Sequence, residues 1–441
     1  KVRRVREWFS MFQQGLQHAD VFVIRDVHPS YRKGMQVFWW YGVLIAFVSA
    51  FVDSYVTLYL LAFGATNLQV GSLASISSFL AMLAPLIGAQ WTARLGKRKP
   101  VFMVSLSLQY FMLLLAVLAP GVISGPALIP VLIGLMALRS GVSGIGSPAW
   151  TSLAGDIVPM ERRGRYFSSR KTVMAIVTMF SVPLAGQIIH RIGAPAGYQL
   201  VFGIAVGAAA AAVFIYGRIP EPESAEGRRH EKVWAALRQA LFANPLFLRF
   251  TLIALFWNLS TQLAAPYFSV FQVEVLKSTP AIIGALGTLS ALTDVIGRQV
   301  FGRVIDRRGA RWAFALCTLL IPILPFMWIP LTRPWHVIFV MIPNGFLWAG
   351  FDLSNFNLQL ELSEAKYRTQ AIAAHSSLIS LANVMAPLLG AQVIETWGYD
   401  GDFALSGVGR LVAAGLFLLL LRPFWRGSLA AEQNGTLPHH G

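Results

Sequence analysis

Apolar residues run through this chain in long stretches, and most charged residues fall in the gaps between them. A helix needs roughly 20 mainly apolar residues to cross about 30 Å of hydrocarbon. Twelve stretches meet that length: Val37 to Leu61, Gln69 to Trp91, Pro100 to Ile123, Ala127 to Leu153, Thr172 to Arg191, Gln199 to Gly217, Phe250 to Val273, Ala281 to Phe301, Trp312 to Leu331, Trp335 to Leu360, Ala371 to Ile394, and Ala404 to Leu421. The pattern predicts an all-α integral membrane protein with twelve transmembrane helices, here called spans 1 to 12.

The gaps organise the spans. Residues 1–34 form a basic, aromatic arm that lacks the apolar core of a cleavable signal peptide. It reads either as an amphipathic segment on an anionic leaflet or as a disordered leader. Residues 218–245, rich in Pro and charge, form a linker between two six-span bundles, 35–217 and 246–424, and residues 425–441 read as a disordered tail.

Charge then fixes the topology. The chain carries 36 Lys and Arg against 20 Asp and Glu, a surplus that in a soluble protein would suggest nucleic acid as a partner. Thirty of the 36 lie in the two terminal segments and in the loops after spans 2, 4, 6, 8 and 10, all on one side of the membrane. Short loops rich in Lys and Arg stay cytoplasmic, so both termini are expected there, at a plasma (inner) membrane, with no nucleic-acid partner. Cys317 is the only cysteine, which excludes a disulfide framework and a thiolate metal cluster. The eight His residues show no metal-ligand pairing, so neither a metal nor a cofactor is expected.

The two bundles repeat one another. Val70-Gly71-Ser-Leu-Ala-Ser-Ile-Ser, leading to Ala93-Arg94-Leu95-Gly96-Lys97-Arg98, recurs 213 residues later as Ile283-Gly284-Ala-Leu-Gly-Thr-Leu-Ser, leading to Asp306-Arg307-Arg308-Gly309-Ala310-Arg311. Pro183-Leu-Ala-Gly186 in span 5 is echoed by Pro387-Leu-Leu-Gly390 in span 11. Two bundles of equal orientation follow, related by a pseudo-twofold along the membrane normal. Gly302-Arg-Val-Ile-Asp306-Arg307-Arg308-Gly309-Ala-Arg311 resembles the loop signature of the major facilitator superfamily of secondary transporters. In the copy after span 2, Ala89 and Ala93 replace the first Gly and the Asp, while Arg94, Gly96, Lys97 and Arg98 remain. The resemblance covers Val37 to Leu421. It implies twelve helices in two six-helix bundles, a cavity lined by spans 1, 4, 7 and 10 and flanked by 2, 5, 8 and 11, and a gating loop drawn here from Arg94, Gly96, Gly302, Asp306, Arg307 and Gly309.

A charge near the bilayer centre costs about 2.5–3.5 kcal/mol on insertion scales, so each intramembrane charge is a candidate for function. Asp53 lies in span 1, roughly 6 Å from its midpoint at about 1.5 Å per residue. It is either a proton site or a structural carboxylate held by Ser49 or Tyr55. Arg139, in Leu138-Arg139-Ser-Gly141-Val-Ser-Gly144 of span 4, resembles the Arg and Gly-rich signature of proton-coupled members of the family; the bland reading is a fixed counter-ion. Asp294 and Arg298 are four apart on span 8 and either compensate each other or offer Asp294 as a second titrating or cation-binding group. Asp352, in span 10, precedes Asn355 and Gln359, which share a face. On span 7, Trp257, Asn258, Gln262 and Tyr267 surround Pro266, where a helix break would free carbonyls. With Tyr55 in span 1 and with Asn355 and Gln359, they are expected to line a substrate cavity; the alternative is that the aromatics only pack and that the Asn355 face forms a helix–helix hydrogen-bond seam.

These features imply a monomeric, proton-coupled transporter of a small organic compound working by alternating access, with export by antiport preferred. Uptake by symport, or a scaffold, scramblase or assembly factor on the same fold, remain alternatives. No phosphate-binding loop supports ATP drive, and no nucleophile elbow or HExxH motif supports an enzyme. The family resemblance makes Asp306 the surviving carboxylate of a cytoplasmic latch. Asp306→Asn is therefore expected to shift the protein toward its inward-open state, read as greater protease or crosslinker access to the cytoplasmic loops. Unchanged access would refute a latch at this carboxylate.

Overall fold

A computed structural model describes residues 27–159, 163–219, 245–363 and 368–433. The linker segment 220–244 and most of the N-terminal arm lie outside the described residues. In chain order the helices are α1 (Pro29–Val52), α2 (Val56–Ala62), α3 (Asn67–Leu95), α4 (Arg98–Val122), α5 (Leu128–Ile157), α6 (Arg163–Ile192), α7 (Ala196–Tyr216), α8 (Pro245–Ala264), α9 (Tyr267–Glu274), α10 (Pro280–Arg308), α11 (Ala310–Leu320), α12 (Ile323–Trp328), α13 (Ile338–Leu362) and α14 (Arg368–Gln433). Among the described residues, eleven helical stretches are long and apolar enough to cross a membrane. The last, Ala374–Leu420, has 47 residues and is interrupted at Gly398, whose φ of 71° and ψ of −178° are not helical. It therefore holds spans 11 and 12, and the chain is a multi-pass integral membrane protein.

Three boundaries differ from the sequence expectation. α1 begins at Pro29, so the arm turns helical before Val37. The last helix continues to Gln433, through residues expected to belong to a disordered tail. Span 1 is not continuous: it stops at Val52, turns over Asp53–Tyr55 and resumes as α2.

The chain condenses into two compact units, residues 1–59 with 80–227, and residues 60–79 with 228–441. In the first, α4 lies along α5, and α1 packs on α6 and α7. Its core is aromatic: Phe38 is flanked by Tyr41, Trp150 and Tyr166, and the Tyr166 hydroxyl donates to the Met35 carbonyl at 2.6 Å. Lys99, in the first turn of α4, donates to the Gly217 and Ile219 carbonyls at 2.7 and 2.8 Å, closing the C-terminal end of α7 with positive charge.

In the second unit, α8 packs on α14 and α10 on α13. Trp257 and Phe314 both stack on Phe351. Residues 60–79 join this unit, which the two-bundle expectation did not anticipate. Gly71 presents no Cβ where the Tyr267 hydroxyl and the Pro387 carbonyl approach, and the Tyr399 hydroxyl lies 3.1 Å from Asn67 Oδ1 and 2.5 Å from Glu274 Oε2.

The repeated loops after spans 2 and 8 share one backbone feature. Gly96 and Gly309, 213 residues apart, have φ of 63° and 82°, the left-handed region that favours glycine. Both loops therefore turn at a glycine in the same register. Asp306 is exposed at the end of α10, and the ion pair that leaves this loop joins Arg311 to Glu361 at the end of α13.

Close helix approach sets a further glycine. A Cβ at Gly88, on α3, would fall on the Ile145 carbonyl of α5. Overpacking of this kind costs about 1–3 kcal/mol, so Gly88→Ala is expected to lower the unfolding temperature in detergent. Gly134→Ala, on the same α5 but with no atom within 4 Å of the added carbon, is expected to leave it unchanged. Equal effects of the two would refute the close α3–α5 contact.

Candidate functional site

The interruption of span 1 places Asp53 where helix becomes turn. Its amide still donates to the Ser49 carbonyl at 2.8 Å, and the next helical step is replaced by a Tyr55 to Val52 bond at 2.9 Å. Irregular backbone at membrane depth is tolerated where it lines a cavity or is buried in protein. Here it does line one: a cavity of about 580 Å³ in the first unit, bordered by Asp53, Arg139, Gln109, Tyr110, Ser140 and Ser143.

Within this cavity, Arg139 Nη2 lies 2.9 Å from Asp53 Oδ1, with the arginine side chain 13% exposed and the aspartate 51%. Arg139 Nε is buried without a hydrogen-bond partner. The ion pair therefore joins a half-exposed carboxylate to a guanidinium with an unused donor. That carboxylate is open to the cavity, and its one resolved charge partner is Arg139. Arg170 lines the same cavity. Its guanidinium lies 4.6 Å from the centre of the Phe38 ring, a cation–π contact, and its Nε donates to the Phe38 carbonyl at 3.3 Å.

The second unit brings three of the expected charges together. Arg298 grips Asp294 with two hydrogen bonds, of 2.8 and 3.1 Å, and reaches Asp352 at 3.7 Å. Asp294 and Arg298 lie on α10 and Asp352 on α13, so the cluster ties two helices, and it carries one more negative than positive charge. The i, i+4 pairing was legible in the sequence; the third member was not, because it depends on how α10 meets α13.

The expected cavity residues of span 7 lie elsewhere. Trp257 is 1% exposed and stacks on Phe351. Asn258 donates to its own helix at the Ala254 carbonyl, and Gln262 donates to Asn383 Oδ1 at 3.1 Å. Tyr267 is fully buried and donates to the Pro387 carbonyl. Tyr55, also fully buried, donates to the Val182 carbonyl at 2.7 Å. Asn355 and Gln359 are half-buried on α13. None of these seven borders the first-unit cavity or the cavity found in the second unit. The two tyrosines instead fasten the interrupted spans 1 and 7 to spans 5 and 11 beside their repeated Pro motifs. Sequence reasoning missed Gln109 and Tyr110 on span 3; their available signal was an amide and a phenol inside an otherwise apolar stretch.

The sequence profile described as Major Facilitator Superfamily matches residues 38–342 and 259–438. Over 186 residues the chain is 28% identical to a candidate sugar efflux transporter of Deinococcus radiodurans; the match covers 41% of this chain and 47% of that protein, so it spans about half the relative's length. Among solved structures, a variant of the nucleoside transporter NupG superposes with a TM-score of 0.69 at 13% identity, covering 87% of this chain and 99% of the other. A bacterial homologue of the human lysosomal transporter Spinster, inward-facing and unoccupied, also gives 0.69 at 13% identity, covering 90% and 98%. These structural likenesses establish the fold. Together with the profile match they show that the chain belongs to the Major Facilitator Superfamily, a family of membrane transporters and not of enzymes.

Proposed function

We propose that this chain is a proton-coupled secondary transporter that exports a small hydroxylated organic solute, of which a sugar is the leading example, by antiport. The observation that carries the reading is the Asp53–Arg139 ion pair, set at a helix interruption and opening on a cavity. An ionised Asp53 offers Oδ2 to a solute hydroxyl while Oδ1 stays with Arg139. Protonation neutralises Asp53 and turns Oδ2 into an O–H group, replacing the charge-assisted bond to the solute by a weaker neutral one, so proton and solute compete for one carboxylate, as antiport requires. The match to a candidate sugar efflux transporter supports this solute class. The thirty basic residues on one side support cytoplasmic termini at an inner membrane, and a monomer suffices because the cavity lies within one chain.

One observation favours the opposite sign of coupling. Arg139 Nε is a buried donor without a partner; if protonation of Asp53 released the guanidinium to the solute, proton and solute would bind together, giving symport. The two schemes differ in the direction of the linked proton flow. Purified protein in liposomes loaded with a pH-sensitive dye, tested against a panel of neutral sugars under an imposed pH gradient, is expected to show proton movement opposite to the solute. Asp53→Asn and Arg139→Ala are expected to abolish this linked movement, and Asp53→Asn, which mimics the protonated acid, is expected to weaken solute counterflow as well. Linked proton movement that survives both substitutions in folded protein would sink the coupling assignment, and movement in the same direction as the solute would replace antiport by symport.

A further inference from the structure

The first-unit cavity is long, and its two ends differ. Arg139, paired with Asp53, sits at one end. Arg170 sits at the other: its guanidinium lies 5.8 Å from the centre of the Trp150 ring, and a Cβ at Gly42 would fall on its Nε and Nη2. Gly42, on α1, precedes Asp53 by eleven residues, and Trp150 follows Arg139 by eleven on α5. At about 1.5 Å per residue, each helix separates the two ends by roughly 16 Å. Ser140, Ser143 and Ser147 fall between them on one face of α5 and border the cavity. The Ser140 and Ser147 hydroxyls donate to carbonyls of their own helix, Met136 at 3.3 Å and Gly144 at 3.0 Å, which leaves their oxygens to accept.

Charge separates the ends further. Among the described residues that border the cavity, Arg139, Arg170 and Lys171 are basic and Asp53 alone is acidic. Asp53 already meets Arg139. Arg170 is only 6% exposed, and among the described residues no carboxylate forms an ion pair with it or with Lys171. Its Nε donates to the Phe38 carbonyl. Its two Nη groups make no hydrogen bond to a described residue, yet neither is sealed from open space, and the open space that Arg170 borders is this cavity. Lys171 beside it is exposed. A buried charge without a counter-charge is costly. This end of the cavity therefore asks for an anion, and the cradle of Gly42 and Phe38 holds the guanidinium in place to receive one.

We propose that the Arg170–Lys171 end of the cavity is an anion subsite, and that the solute is an elongated hydroxylated anion of about disaccharide length. Its carboxylate or phosphate meets Arg170 and Lys171, and its hydroxyls run along the serine face toward Asp53. A single sugar ring spans less than half of the roughly 16 Å between the ends, so it engages one end or the other. This deepens the transport reading above: it rests on that cavity and on a hydroxylated solute, but not on proton coupling.

The test is calorimetric titration of the purified full chain in detergent, without a pH gradient, so that failure of proton coupling leaves it untouched. Maltobionate, an anionic disaccharide, is compared with maltose, which lacks the charge, and with D-gluconate, which lacks the length. Trehalose 6-phosphate against trehalose asks the same of a phosphate. At least one of the two anionic disaccharides is expected to bind about tenfold more tightly than its neutral parent, and maltobionate more tightly than D-gluconate. Arg170→Gln should remove most of the preference for the anion, and Lys171→Gln should reduce it about threefold to fivefold. Thermal unfolding in detergent establishes which variants are folded; Lys171 is exposed, so its variant carries the test if Arg170→Gln, which empties the Gly42 cradle, unfolds. No preference for either anion over its parent, a preference unchanged in every folded variant, or D-gluconate binding as tightly as maltobionate would each overturn the proposal. Neutral disaccharides binding without that preference would overturn it while leaving the transport reading standing.

Discussion

A charge placed inside a hydrocarbon slab is stable only if another charge or a body of water meets it, and this requirement organises both units of the chain. Asp53 is met by Arg139, joining the interrupted span 1 to span 4. Asp294 and Asp352 are both met by Arg298, joining span 8 to span 10. The pairings differ in exposure, and exposure separates what each can do. Asp53 is half exposed beside a cavity, so it is open to water. Asp402 is closed off completely.

The second constraint is that backbone polar groups in lipid need internal partners. Both breaks in the cavity-lining spans respect it, and they stand in register: Asp53 and Pro266 are separated by the same 213 residues as the repeated loops. After each break a buried tyrosine hydroxyl donates to a backbone carbonyl of the fifth helix of its own half, Tyr55 to Val182 and Tyr267 to Pro387. A broken helix is thereby fixed at one point on a neighbour that carries a proline, which gives each half a defined place to bend. Glycine supplies the complementary device in the loops, where Gly96 and Gly309 both take a positive φ.

Much of this was legible in the sequence because the membrane makes the signal coarse. Twenty apolar residues in a row mean a span whatever their order, so the spans need no knowledge of packing. Isolated charges were legible for the same reason: Asp53 and Arg139 stand out from their spans, and the structure brings them together. The aromatic and amide residues were not legible, because core, lipid and cavity all accept a Trp or a Tyr. On span 7, Thr261, Ala265, Phe268 and Gln272 follow one another at helical spacing along the cavity. Trp257 continues that stripe one turn earlier, where Phe351 stacks on it and closes it from solvent. Asn258, Gln262 and Tyr267 face other helices. Periodicity defines the stripe; only the position of Phe351 decides where cavity gives way to core.

Arg410 illustrates a different loss of information. A span otherwise apolar, in a position the family treats as peripheral, reads as a lipid-facing support, and its one charge reads as an exception. The residues that reverse this reading are small ones: Ser406 donates to the Ser260 carbonyl at 2.6 Å, and Gly409 has no Cβ where the Ser260 hydroxyl approaches. Together they draw span 12 close against span 7, so that an arginine side chain one residue further on, long enough to cross the contact, ends in the cavity rather than at the lipid face. The reach of a charged side chain in a helical membrane protein is therefore set by the smallest residues beside it, and a polar residue on a supposedly outer helix should be weighed with its neighbouring Gly and Ser before it is assigned to lipid.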